Sequence, residues 1–156
     1  MGETTNEANV KATDVSQEEE GSTRLFEPKG FTDKIIPILE KFKNNEYSDA
    51  TYYYYERVPS EVLLKIVPLL PKENYEEERQ NYSPTIKDFV EIAKKEPRVK
   101  FDLYIITKER DDERLTIETI ILPKDRSDLK PLILEKALDY PDAEGVIEDG
   151  FFMWWD

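Results

Sequence analysis

The chain has 156 residues and contains neither cysteine nor histidine. Without thiols there is no disulfide framework, zinc finger or ribbon, or iron–sulfur centre. Without imidazole there is no Ser-His-Asp triad, no Cys-His pair, no H-E-x-x-H zinc site and no histidine-ligated haem. Glycine is also scarce. The five glycines, at positions 2, 21, 30, 145 and 150, nowhere form G-x-G-x-x-G or a Walker A pattern, which excludes P-loop nucleotide hydrolysis. The longest apolar runs, such as 120–122 and 151–155, fall far short of the ~20 residues of a membrane-spanning helix. The N-terminal residues are polar and acidic, so neither a secretory signal nor an Arg-rich transit peptide is expected. These absences lead to the expectation of a soluble cytoplasmic protein with no membrane partner.

Acid is what the chain has in abundance. Asp and Glu number 35 against 22 Lys and Arg, for a net charge of −13. Nucleic acid and anionic membranes attract positive surfaces, so this balance disfavours them and favours basic protein partners. The groups left for catalysis are carboxylates, Lys, Tyr, Ser and Thr, with a hard metal as the only natural helper.

Residues 1–28 read as a disordered acidic tail. Apolar positions there are sparse and aperiodic, and Glu18-Glu19-Glu20 runs into Gly21-Ser22-Thr23. Residues 1–30 hold seven acidic and three basic residues, so −9 remains on 31–156. The rest, 29–156, reads as a single α+β domain. Thr32 opens a helix to about 43, interrupted by Pro37 and stopped by Asn44-Asn45. Positions 50–58, with four consecutive tyrosines, read as a strand. Pro59-Ser60 opens a second helix to about 67, and 72–82 reads as a polar surface connection. Ser83-Pro84 signals the start of the helix carrying Ile86, Phe89, Val90 and Ala93 at i, i+3, i+4 and i+7.

Val99, Phe101, Leu103 and Ile105 alternate with Lys100, Asp102, Tyr104 and Ile106, as a half-buried strand does. Leu115, Ile117, Thr119 and Ile121 predict a second strand, joined to the first by a charged hairpin tip. Ser127-Asp128 caps a last helix, and 145–150 leads into a final strand at 151–155. The expected architecture is a four-stranded antiparallel sheet with helices on one face, in the split β-α-β order of a ferredoxin-like fold, preceded by an extra helix. Residues 32–50 and 127–143 echo one another: a capped helix, then a Tyr-x-Asp-Ala turn, then a strand. The echo suggests a pseudo-symmetric pair, although amphipathic helices with caps resemble each other by necessity.

The strongest candidate site is aromatic. Tyr52, Tyr53, Tyr54 and Tyr55 share a sheet with Phe152, Trp154 and Trp155. One face of such a sheet packs on helices. The other would show Tyr52 and Tyr54, or Tyr53 and Tyr55, beside Trp154 or its neighbours. Rings that complete a core or a dimer interface are the simpler account of any single one. The second candidate is the acidic C-terminal stretch, Asp139, Asp142, Glu144, Glu148 and Asp149, as oxygen ligands for a divalent cation. EF-hand spacing fails there, and a solvated loop explains it more simply. The hairpin cluster Glu109, Asp111, Asp112 and Glu113 and the run Glu76-Glu77-Glu78 read as solvated charge.

The leading expectation is therefore a non-enzymatic protein-interaction or regulatory module without a cofactor. Its aromatic sheet face and acidic surface would engage a basic protein partner, with a homodimer through the open sheet as a corollary. The alternatives are a small-ligand or sensor domain and a carboxylate- or metal-dependent enzyme.

Overall fold

Aromatic and β-branched stretches form five strands in a computed structural model that describes residues 26–156. Residues 1–25, most of the expected tail, lie outside the described residues. The strands are β1 (Tyr52–Pro59), β2 (Lys100–Ile106), β3 (Arg114–Pro123), β4 (Ala143–Ile147) and β5 (Gly150–Trp154). They make one antiparallel sheet in the order β1-β2-β3-β5-β4. The helices are α1 (Ile36–Leu39), α2 (Ser60–Ile66), α3 (Lys72–Glu77), α4 (Ile86–Lys95) and α5 (Lys130–Lys136), joined by short 3-10 turns. No helix among the described residues is long and apolar enough to cross a membrane.

The four-stranded ferredoxin-like expectation is overturned at two points. Split β-α-β order needs two strands joined by a crossover with another strand between them. Here β1 and β2, although joined through α2, α3 and α4, are direct antiparallel neighbours. The second point is an extra strand. Residues 143–147 do not merely lead into the last strand but pair with it as a hairpin, Val146 opposite Phe151 and Ile147 opposite Gly150. The Tyr strand is therefore one edge of the sheet, and β4 is the other.

Smaller differences have local causes. The expected first helix is split into a 3-10 turn (Phe31–Lys34), α1 and a second 3-10 turn (Glu40–Phe42), with Pro37 at the start of α1. The connection at 72–82 contains α3. The cap of α4 is Thr85, not Ser83: Thr85 and Asp88 exchange hydrogen bonds as a capping box. The Ser83 hydroxyl instead accepts from Gln80 N–H and donates to the Pro84 carbonyl.

One face of the sheet carries the core. Tyr55, Val58, Phe101, Leu103, Ile105, Leu115, Ile117, Ile120, Leu122, Met153 and Trp155 meet Leu63 and Ile66 of α2, Phe89, Val90 and Ala93 of α4, and Ile133 of α5. Phe26 and Phe31 belong to the same cluster. Burial of this apolar surface is the main stabilising term. The spacing in β3 changes partway, from Leu115 and Ile117 to Ile120 and Leu122. The register shift that places Asp102 opposite Thr119 and Leu103 opposite Ile117 is a β-bulge at Glu118. Thr119 and Ile121 thereby leave the face shared by Leu115 and Ile117, contrary to the simple alternation.

The N-terminal segment is fastened by Glu113, a residue the charge pattern assigned to solvent. Its carboxylate, 3% exposed, accepts from Gly30 N–H (2.7 Å), Thr32 N–H (3.1 Å) and the Thr32 hydroxyl (2.6 Å). Glu113→Gln turns one acceptor oxygen into a donor facing donors. It should cost about 2–3 kcal/mol, read as a lower urea midpoint with unchanged m. An unchanged midpoint would mean the segment is not held there.

Candidate functional site

Strand alternation sends Tyr52 and Tyr54 to the face opposite the core, and register brings their neighbours. Tyr54 lies opposite Tyr104, and the Tyr52 and Tyr104 rings stack with centroids 5.0 Å apart. One row across the sheet reads Asp102, Thr119, Trp154, Ala143, and the next reads Lys100, Ile121, Phe152, Gly145. The Phe152 ring lies over Gly145, where an added Cβ would come within 3.0 Å of it. The small residues of β4 thus let two large rings of β5 stand together.

These rows enclose a groove of about 310 Å³ lined by Tyr54, Glu56, Arg57, Asp102, Thr119, Ile121, Ile147, Phe152 and Trp154. A second groove of about 340 Å³, lined by Arg98, Lys100, Ile121, Leu122, Pro123 and Asp149, shares Ile121 with the first. The opposite end of the face is closed. The Tyr104 hydroxyl donates to Gln80 (2.6 Å), the Thr116 hydroxyl donates to Glu78 (2.9 Å), and Arg114 pairs with Glu78 and Asp112.

Two carboxylates belong to this face, and neither was singled out in the sequence. Asp102 lines the groove. One of its oxygens accepts from Arg57 N–H at 2.9 Å, which holds Arg57 in the left-handed region (φ 54°) at the bulge between Tyr55 and Val58. Glu118 is 9% exposed and interacts with the Tyr54 hydroxyl and Trp154. Burial lifts both carboxyls above their ordinary range. Glu56 adds to the rise at Asp102 and Asp102 adds to that at Glu118, while Arg57 N–H and the Tyr54 hydroxyl oppose it. Burial, reinforced by Asp102 and Glu118, also pushes the Tyr54 phenol well above its usual value, and Tyr52 is pushed up to about 12 by burial and Glu118. The half-buried Asp102 and the buried Glu118 thus both lie beside the Tyr54 phenol, at a groove walled by Trp154 and Phe152.

The raised carboxyls make a stability prediction with a definite sign. A carboxyl whose pKa is higher in the folded chain keeps its proton more readily when folded. Its contribution to stability is therefore lost as pH rises from the ordinary carboxylate range through the raised value, and the loss is complete above it. Asp102→Asn keeps the acceptor for Arg57 N–H and removes the charge. It should raise stability at neutral pH by about 0.5–2 kcal/mol and leave stability at acidic pH nearly unchanged. A variant less stable than the parent at neutral pH would make Asp102 a structural residue.

The expected aromatic set divides between the two faces. Tyr52, Tyr54, Phe152 and Trp154 share the open face. Tyr55 and Trp155 are fully buried on the helix side. Tyr53 packs against that core with Lys43 Nζ 3.9 Å from its ring centre. The acidic C-terminal residues are dispersed. Asp139 accepts from Tyr140 N–H, Asp142 accepts from Asp156 N–H (2.7 Å), Glu144 pairs with Lys130 (3.1 Å), and Glu148 and Asp149 form the β4–β5 turn. No group of three or more Asp or Glu among the described residues is arranged to hold a metal ion. The echoed segments lead into β1 and β4, the two edges of the sheet, but their turns differ: Asp49 accepts from Thr51 and Tyr52 N–H, whereas Asp142 reaches the chain's last residue.

The signal that could have found Asp102 was the alternation of β2. It sets Asp102 on the face of Tyr104, in a strand whose other face is wholly apolar. No family model, curated protein or solved structure matches this chain.

Proposed function

We propose that the chain is a binding module rather than an enzyme, and that it docks a protein partner on the open face of its sheet. The observation that carries this reading is the groove whose lining brings Tyr54, Phe152 and Trp154 together with Asp102. A sheet with one helix-covered face needs only one apolar face. Rings gathered on the other face serve contact, since Tyr and Trp are enriched among the few residues that dominate binding at protein interfaces. Keeping Asp102 and Glu118 half-sheltered beside those rings opposes folding at neutral pH, so a purpose outside the fold accounts for them better. Self-apposition through this face would bring the carboxylates of two copies into one interface, and like charge opposes that. A basic partner relieves the same repulsion.

The test is photo-crosslinking in intact cells with a benzophenone amino acid at position 152, and at 132 on the helical side as control. An adduct of defined mass from position 152 alone, abolished by Trp154→Ala, is the expected result. Adducts from 132 only, or from neither position, would overturn the reading. An adduct of twice the chain mass would replace the basic partner with a second copy.

A further inference from the structure

Resting on that reading, we infer that the groove receives an arginine side chain from an extended segment of the partner, its guanidinium on the Asp102 carboxylate and against the Trp154 and Phe152 rings. The shape of the face speaks for a segment. The two grooves, about 310 and 340 Å³, are contiguous at Ile121 and run on toward Lys100 and the β4–β5 turn, longer than a small cation needs. The chemistry speaks for positive charge. The chain carries −13 overall, and Asp102, Glu118 and Glu56 face the Tyr54 hydroxyl at this place. Arg57 N–H and the Tyr54 hydroxyl both interact with the Asp102 carboxylate, whose two oxygens offer about four lone-pair sites, so acceptor capacity remains for a donor from outside.

The geometry favours arginine over lysine. A planar guanidinium can hydrogen-bond a carboxylate through its edge while its face rests on an aromatic ring, and it is less strongly hydrated than an ammonium. Among the cations of this face, which include Lys100 and Arg98 along the second groove, Arg57 is the one lining the groove with Asp102. It stabilises the ionised Asp102 at present and would compete with an incoming one.

Panning a phage-displayed library of random dodecapeptides against the whole protein tests this directly. Selected peptides whose binding is lost in Trp154→Ala should be enriched in arginine, and replacing that arginine with citrulline, which has its shape without its charge, should abolish binding. Asp102→Asn, whose fold is checked by its melt, should weaken binding about tenfold or more. Arg57→Gln should leave binding equal or tighter. Peptides that need Trp154 but show no arginine, or that bind Asp102→Asn as well as the parent, would overturn the inference and leave the docking face standing. Binding lost in Arg57→Gln would do the same by pointing to an anionic ligand. Peptides indifferent to Trp154→Ala would remove the docking face and the arginine together.

Discussion

Trp155→Ala should destabilise the protein by about 3–5 kcal/mol, whereas Trp154→Ala, one residue away, should cost no more than about 1–2 kcal/mol and abolish partner binding. The difference comes from strand alternation. Trp155 is 0% exposed, meets the Phe89 ring edge-on at 6.1 Å, and donates its indole N–H to the Asp139 carbonyl at 3.1 Å. Truncation leaves a cavity between α4 and the sheet and strands that carbonyl. Trp154 stands on the opposite face, half-buried beside Thr119 and Phe152, where no helix covers it. Urea titration measures the first effect and the crosslinking yield from position 152 the second. Equal destabilisation by both substitutions would mean that the open face is a second core, and the proposed docking surface would fall with it.

Gly150→Ala should be at least as damaging, at about 3 kcal/mol or more, and should leave little folded protein. Gly150 opens β5 opposite Pro123, and a Cβ there would lie 1.9 Å from the Leu122 carbonyl oxygen and 3.0 Å from its carbon. Both obstacles are backbone, so neither can swing aside. Relief requires β5 to move off β3, and β4 hangs from β5 alone. Gly145→Ala is the comparison. Its Cβ would meet only the Phe152 ring at 3.0 Å, and a ring can turn. It should fold, with a displaced Phe152 and weaker binding in the groove. Soluble yield and circular dichroism separate the two. A well-folded Gly150→Ala would contradict the β3–β5 register itself.

That register is also where reading the chain residue by residue stopped. The strands β1, β2 and β3 and the helix α4 were legible because their apolar residues recur with a clear period. The stretch 143–147 was not. It holds a glycine and a glutamate, and Val146 is 72% exposed, so no buried face marks it as a strand. It becomes one because β5 offers it hydrogen bonds. The same holds for Glu113, indistinguishable in sequence from the acidic residues around it, and buried only because Gly30 and Thr32 come to it from more than eighty positions away.

The candidate site divides in the same way. The concentration of Tyr and Trp on two strands, and the acid that favours a basic partner, follow from composition and local pattern alone. So does the exclusion of thiol, imidazole and P-loop chemistry, since absent atoms cannot be supplied by folding. Which rings face outward was a question of parity, left open until register chose Tyr52, Tyr54, Phe152 and Trp154 over Tyr53, Tyr55 and Trp155. The bulge at Glu118 could not be read at all, because an extra residue in one strand has meaning only against its partner. It turns Thr119 and Ile121 to the face of Asp102, and pairing across three strands sets Trp154 in the row of that aspartate. Local sequence determines what each strand can offer, while the pairing of distant strands decides which of those groups meet, because backbone hydrogen bonding between strands carries no label of its own.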